Sequence, residues 1–308
     1  MRKALLLPFI MVGTVLLMLS LQLFGATAPA LSEDGDHWDH EYTVKADEKI
    51  EKTFQMPAGA HKSLEIDNVF GSIEVTGTDS SDVQMVVQKS IRAESNESLE
   101  RAKKEVTLDI DQQQGVLRLY VNGPFRCHCD CDDHRDCRGS HEDSRYIVNM
   151  DFTLKVPRDI DVKVRTVNHG TVKVSNVAGD FQVRNVNGRI EMENMDGSGT
   201  ARTVNGPVHV SFRKNPGKSS DFRTVNGDVE LRFASGLSAD FRFKTFNGGI
   251  YTDYPVTALP ARANSEEHRN GKLILRADRM AAARIGAGGP EIQIENLNGD
   301  IRILQNHE

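Results

Sequence analysis

Beyond Leu64, apolar and polar residues alternate one by one through most of the chain, the pattern of half-buried strands. Leu64 to Gly77 (LEIDNVFGSIEVTG) reads as strand, glycine turn and strand, and Val106 to Val121 (VTLDIDQQQGVLRLYV) as a hairpin. Between them the period changes. Leu99, Ala102 and Val106 fall on one helical face, and Glu97/Arg101 and Glu100/Lys104 are spaced as i,i+4 pairs, so one short helix is expected around Asn96 to Glu105. From Asp161 onward the alternation becomes repetitive. Val162/Val164, Phe181/Val183, Val208/Val210/Phe212 and Val229/Leu231/Phe233 are the apolar faces of successive short strands. None of these is large enough to bury itself.

The strands are punctuated by one recurring corner: Thr166-Val167-Asn168, Asn185-Val186-Asn187, Thr203-Val204-Asn205, Thr224-Val225-Asn226 and Thr245-Phe246-Asn247, each with Gly within two residues. The corner asparagines are spaced by 19, 18, 21 and 21 residues, and weaker turns at Asn176, Asn194, Asn215 and Ala234 lie midway. A unit of 18–21 residues with two strands and two turns is the signature of a β-solenoid, in which rungs stacked about 4.8 Å apart join their faces into one core. Stacking places Asn168, Asn187, Asn205, Asn226 and Asn247 in one column, where side-chain amides bond from rung to rung. Asn and Gly also tolerate the positive φ that sharp corners need.

These corners, the GSIEV start at Gly71 and the ending IGAGGPEIQIENLNGDIRI resemble a bacterial β-strand-repeat family labelled "putative adhesin", over roughly Lys49 to Leu304. The resemblance implies a β-helix-like fold in an exported or envelope protein. It implies no catalytic residues, because the family has none agreed. The Cys-rich stretch described below departs from the family pattern.

The predicted organisation is all-β. Residues 46–157 form an N-terminal β region with the helix and a Cys-rich loop at 126–143. Residues 158–254 hold the solenoid repeats. Residues 255–308 hold a less regular, partly helical or looped insertion followed by closing rungs around Ile292 to Ile303, and residues 31–45 are a polar linker. Residues 1–30 read as a targeting segment: Arg2 and Lys3 precede an uncharged run from Ala4 to Leu31, with Ala28 and Ala30 at the −3 and −1 positions of a cleavage site. The run is also nearly long enough to span a bilayer, so a cleaved leader and a retained anchor both stand. Either way the bulk of the chain is expected to be exported, to a periplasm or cell surface, where disulfides are stable.

Three constellations carry candidate chemistry. Arg165, Arg184, Arg202, Arg223 and Lys244 each precede a corner and point outward, a potential cationic stripe with neighbours about 5 Å apart. Such a stripe would suit an anionic polymer or lipid surface, unless acids such as Asp161, Asp180, Asp221 and Asp240 neutralise it. On the other sheet Glu191, His209 and Glu230 fall at equivalent positions, the carboxylates roughly 10 Å apart, near the separation in inverting glycosidases. Nothing in the sequence indicates a pocket around them, and a solvated face is the simpler account. Third, RCHCDCDDHRDCRGSHED places Cys127, Cys129, Cys131 and Cys137 beside His128, His134 and His141. In an oxidising compartment these cysteines form disulfides in one of three pairings. The alternatives are a metal site or redox-active thiols, though the spacing is not the zinc-finger C-x2-C pattern.

The net charge of −6 over 308 residues, about −8 without Arg2 and Lys3, argues against nucleic acid as a partner. GAGGP at Gly286 to Pro290 lacks a following helix and does not bind dinucleotides. Trp38, His37 and His40 fall in the polar tail. Function is expected to be non-enzymatic: an envelope structural or interaction module. Its partners would be an envelope polymer, a lipid surface, another envelope protein, or a second copy through the solenoid ends. It would need no cofactor beyond a metal in the alternative reading of the cysteines.

Overall fold

The computed structural model describes residues 42–57, 59, 61–126, 145–168, 170–260, 265–269, 272–276 and 280–306. In chain order the elements are β1 (Val44–Gln55), β2 (Ser63–Asp67), β3 (Ile73–Thr78), β4 (Asp82–Ala93), α1 (Asn96–Glu105), β5 (Thr107–Gln113), β6 (Val116–Asn122), β7 (Tyr146–Pro157), β8 (Asp161–Arg165), β9 (Val172–Ser175), β10 (Phe181–Arg184), β11 (Ile190–Met195), β12 (Gly199–Arg202), β13 (Val208–Phe212), β14 (Ser220–Arg223), β15 (Val229–Phe233), β16 (Ala239–Lys244), β17 (Ile250–Thr252), β18 (Val256–Leu259), β19 (Ser265–Arg269), β20 (Lys272–Arg276), β21 (Ala281–Ile285), β22 (Glu291–Glu295) and β23 (Ile301–Gln305).

The strands form two large sheets. One is ordered β1-β4-β7-β3-β9-β11-β13-β15-β23-β17, the other β18-β21-β16-β22-β14-β12-β10-β8-β2-β6-β5. Through the repeats the chain passes from one sheet to the other at every corner, and each strand pairs in parallel with its equivalents in neighbouring coils. Antiparallel pairs flank the stack: β1–β4, β4–β7 and β5–β6 on one side, β16–β21 and β18–β21 on the other. The inward residues of both sheets meet in one core that includes Val162, Val164, Val183, Val208, Val210, Val229 and Leu231, all buried. A run of phenylalanines threads it. Phe212 stacks on Phe233 at 5.1 Å, and both pack edge-on against the next ring, Phe222 and Phe241 respectively. Each such ring, fully removed from water, contributes roughly 1.5–3 kcal/mol.

The helix α1 occupies the predicted residues. Ser95 caps it by accepting the Ser98 amide at 3.2 Å, and Leu99 and Ala102 are buried beneath it. Gln114 and Gly115, at φ 48° and 86°, make the two-residue turn of the β5–β6 hairpin.

The corner is built from two side chains with different tasks. The asparagine column forms as a continuous amide chain: Asn187 donates to Asn168, Asn205 to Asn187 and Asn226 to Asn205, each at 2.8 Å, and Asn298 to Asn226 and Asn247 to Asn298 at 2.7 Å. Two residues earlier, the Thr or Asn side chain turns inward and donates to the carbonyl of the glycine in the neighbouring corner. Asn185 reaches Gly170, Thr203 reaches Gly188, Thr224 reaches Gly206 and Asn296 reaches Gly227, all at 2.8–2.9 Å. Thr and Asn interchange there because either brings one donor to a buried carbonyl that would otherwise go unsatisfied.

Three expectations need correction. The stack begins earlier than the repeats at Asp161: β2 pairs with β8 and β3 with β9, so Ser63–Thr78 is already a coil with Asn68-Val69-Phe70 as its corner. Paired positions such as Ser63 and Asp161 lie 98 residues apart because β4, α1 and β5–β7 intervene, far outside the 18–21-residue repeat. The insertion after Pro255 contains strands β18 to β21, and no helix occurs there among the described residues. Finally, the coil at Ile292 to Ile303 does not close the stack. β22 lies between β14 and β16, and β23 between β15 and β17, so the last coil in sequence sits one place inside the end.

Aspartates staple neighbouring coils on the outer turns. Asp161 accepts the Asp180 amide at 2.7 Å, Asp180 the Ser198 amide at 3.1 Å, and Asp228 the Asp300 amide at 2.8 Å. The Asp300 N–H, aided by Arg302 at 2.8 Å, holds the Asp228 carboxyl below its ordinary value of 3.8. A carboxylate depressed in the folded state contributes stability that is complete above that ordinary value and is lost as pH falls through the folded one. Chemical denaturation below about pH 4 should therefore show a loss that Asp228→Asn reduces. An unchanged acid limb in that variant refutes the assignment.

Candidate anion-binding groove

The register brings the predicted cations into line but does not leave them continuous. Across the outer face of the second sheet, one row runs Tyr120, Asp67, Arg165, Arg184, Arg202, Arg223, Glu295, Lys244. Glu295 comes between Arg223 and Lys244 because β22 is inserted there. Its carboxylate lies 3.3 Å from Arg223. Asp221 takes both Arg202 and Arg223, at 2.8 and 2.7 Å, and its hydrogen bond raises the Arg223 guanidinium above its ordinary value. Of the four acids expected to neutralise the stripe, Asp221 alone does so. Asp161 faces His61, Asp180 faces Lys218 and Asp240 faces Arg284.

The other end of the row differs. Beside Arg165 and Arg184 the outer faces of β6, β2, β8 and β10 line a groove of about 340 Å³. Four cations, Arg118, Lys163, Arg165 and Arg184, border it with two carboxylates, Glu65 and Asp67. Glu65 is shared between Arg118 at 3.1 Å and Lys163 at 3.7 Å. Asp67 is held at 2.8 Å by Arg126, which also donates to the Asp67 and Val121 carbonyls, so Arg165 at 4.0 Å is a distant second partner. Arg184 is exposed and makes no ion pair among the described residues. Tyr120, 38% exposed, closes the groove with its ring, over which Arg126 lies at 4.3 Å. The sequence supplied Arg165 and Arg184. It did not single out Lys163, which lies two residues before Arg165 on the same face of β8, and it could not reveal Arg118, which joins them only because β2 pairs in parallel with both β6 and β8.

On the first sheet Glu191, His209 and Glu230 do form an outward column, over a depression of about 250 Å³. Its carboxylates are already engaged by cations: Glu191 by Arg189 at 2.7 Å and Lys173 at 3.6 Å, Glu230 by Arg232 at 2.8 Å. Cys127, Cys129, Cys131 and Cys137, with His128, His134 and His141, lie outside the described residues, as do residues 1–41 with the apolar run, His37, Trp38 and His40.

Residues 158–304 match the family model described as Toastrack DUF4097. No curated protein matches the chain. Among solved structures, the chain is similar to a "putative cell adhesion protein" from Clostridium sporogenes, at 10% identity and a TM-score of 0.42, over 85% of this chain and 100% of that one. It is also similar to a "putative adhesin" from Bacteroides fragilis, at 8% identity and a TM-score of 0.33, over 84% and 97%. A third, a "putative lipid binding protein" from Parabacteroides distasonis, shows 10% identity and a TM-score of 0.26, over 85% and 97%.

Proposed function

With residues 158–304 forming a Toastrack DUF4097 domain, we propose that this chain is an exported, non-enzymatic envelope module that holds an anionic polymer or surface in the groove of Arg118, Lys163, Arg165 and Arg184. One observation carries the reading: the Arg184 guanidinium stands at the groove without an ion pair among the described residues, beside an Arg165 whose carboxylate is claimed by Arg126. Elsewhere along the row the arginines are satisfied by Asp221 and Glu295. Two under-neutralised arginines about 5 Å apart repel each other, and a bound anion relieves that repulsion. The charge is local, so it coexists with a negative chain, and binding should weaken as salt rises. Export rests on the Arg2-Lys3 start, the uncharged run that follows and the small residues at the cleavage position.

The test is retention on immobilised polyphosphate across a salt gradient. Arg165→Glu with Arg184→Glu should weaken binding at least about tenfold, since each reversal turns an attraction of roughly 1 kcal/mol into a repulsion. Arg202→Glu with Arg223→Glu serves as the control, because both side chains are already paired on Asp221. Equal losses in the two double variants, or retention insensitive to salt, overturn the assignment.

A further inference from the structure

The corner motif ends in Asn-Gly at Asn187, Asn205, Asn226, Asn247 and Asn298, and Asn-Gly is the sequence most prone to spontaneous deamidation. The glycine bears no side chain to hinder attack by its own backbone nitrogen on the preceding side-chain carbonyl carbon. That attack requires the peptide plane between the two residues to rotate. In the inner corners the plane is pinned from both neighbouring coils. The Asn205 carbonyl accepts from Gly188 while the Gly206 N–H donates to Asn226. The Asn226 carbonyl accepts from Gly206 while Gly227 donates to Asn298. The Asn298 carbonyl accepts from Gly227 while Gly299 donates to Asn247, all at 2.8–2.9 Å. Gly188 likewise donates to Asn205.

The end of the stack breaks the series. The Asn247 carbonyl still accepts from Gly299, but no coil lies beyond it, and the Gly248 N–H makes no hydrogen bond among the described residues. All five asparagines are exposed, but Gly248 is exposed as well, whereas Gly188, Gly206, Gly227 and Gly299 are half-buried. The neighbouring Phe246 is 79% exposed, so little packing resists local opening. The insertion of β22–β23 one place inside the end is what leaves Asn247 terminal and makes Asn298 an inner corner.

We propose that Asn247 is a site of spontaneous deamidation, and that the coil stack shields the other four corner asparagines from the same reaction. The Gly248 nitrogen bonds to the Asn247 Cγ, the Cγ–Nδ2 bond breaks, and ammonia leaves with the glycine's proton. Water then opens the cyclic imide on either side to give aspartate or isoaspartate. Either product lacks the amide donor that Asn247 gives Asn298, so the amide chain shortens by one member. Isoaspartate also adds a main-chain carbon three residues before the start of β17, a three-residue edge strand. The end coil is thereby loosened and gains a negative charge near Lys244.

The experiment is peptide mapping of the purified full chain incubated at mildly alkaline pH, in buffer and in concentrated urea. In buffer, Asn247 should convert about tenfold faster than Asn187, Asn205, Asn226 or Asn298, the factor expected from losing one backbone hydrogen bond at a frayed end. In urea, where the stack is gone, the five should convert at similar rates. Asn122–Gly123 is not a corner and Asn270–Gly271 lies outside the described residues, so both are scored separately. A native Asn247 rate no higher than that of the inner corners overturns the proposal. So does a fivefold-or-greater excess at Asn247 that persists in urea, because sequence rather than the stack would then set the rate.

Discussion

A chain ending at Pro290 should lose the far part of the stack while keeping the near part. The truncation removes β22 and β23 from between β14–β15 and β16–β17, and with them Ile292, Ile294, Ile301 and Ile303, all fully buried. At roughly 1.5–3 kcal/mol each, their burial is on the order of 10 kcal/mol, comparable with the whole stability of a typical domain. The corner bonds of Asn296 to Gly227 and of Asn298 to Asn226 go too. In a stacked array each coil is supported by its neighbours, so the damage should stay local. The coils up to β14–β15 should survive with a melting transition lowered by more than about 10 °C, and limited proteolysis should cut between residues 239 and 285. The competing outcome is specific. Lys244 and Asn247 occupy the same register as Glu295 and Asn298, so β16–β17 could dock directly on β14–β15. A truncated chain melting within a few degrees of the full one would show that this re-docking succeeds and that the last coil is dispensable.

That ambiguity explains why the order of the stack was not legible in the sequence. The repeat declares which residues face inward and which make the corner, because burial and turn geometry are local demands on residue type. Val183, Phe222 and Leu231 are buried as their alternation requires, and the corner asparagines form their column. The pattern does not declare which coil neighbours which, since the corners are interchangeable by design of the repeat. β22–β23 fits between two older coils as well as it would fit beyond them. The same logic hid the Ser63–Thr78 coil, whose partner is distant in the chain. The groove was half legible for the same reason. Arg165 and Arg184 announced themselves by position in the repeat, and Lys163 shares the outer face of β8 with Arg165, while Arg118 depends on which strands lie beside β2. The Thr or Asn that opens each corner stood out in the repeat, but the role of Thr203, Thr224 and Asn185 as donors to a glycine carbonyl one coil away needs the register.

The tightness of that register predicts the cost of one added methyl group. Gly227 adopts φ 151°, a conformation L-residues avoid, and a Cβ there would overlap the carbonyl carbon and oxygen of Gly206 in the adjacent corner. The obstacle is backbone, so no rotamer change relieves it. The coils would have to separate locally, stretching the Gly206–Asn226 and Gly227–Asn298 hydrogen bonds and the Asn205–Asn226–Asn298 amide chain together. Gly227→Ala should therefore cost on the order of 3 kcal/mol or more, well above the roughly 1 kcal/mol by which Ala would ordinarily stabilise a compatible site. Gly217, where a Cβ meets nothing within 4 Å, is the matched control and should accept Ala with little change. Urea denaturation of the two variants decides the matter: equal midpoints would mean that the corners are not in close backbone contact in solution. A large difference confined to Gly227 would show that the glycine of the repeated corner is kept for the neighbour it touches as well as for the turn it makes.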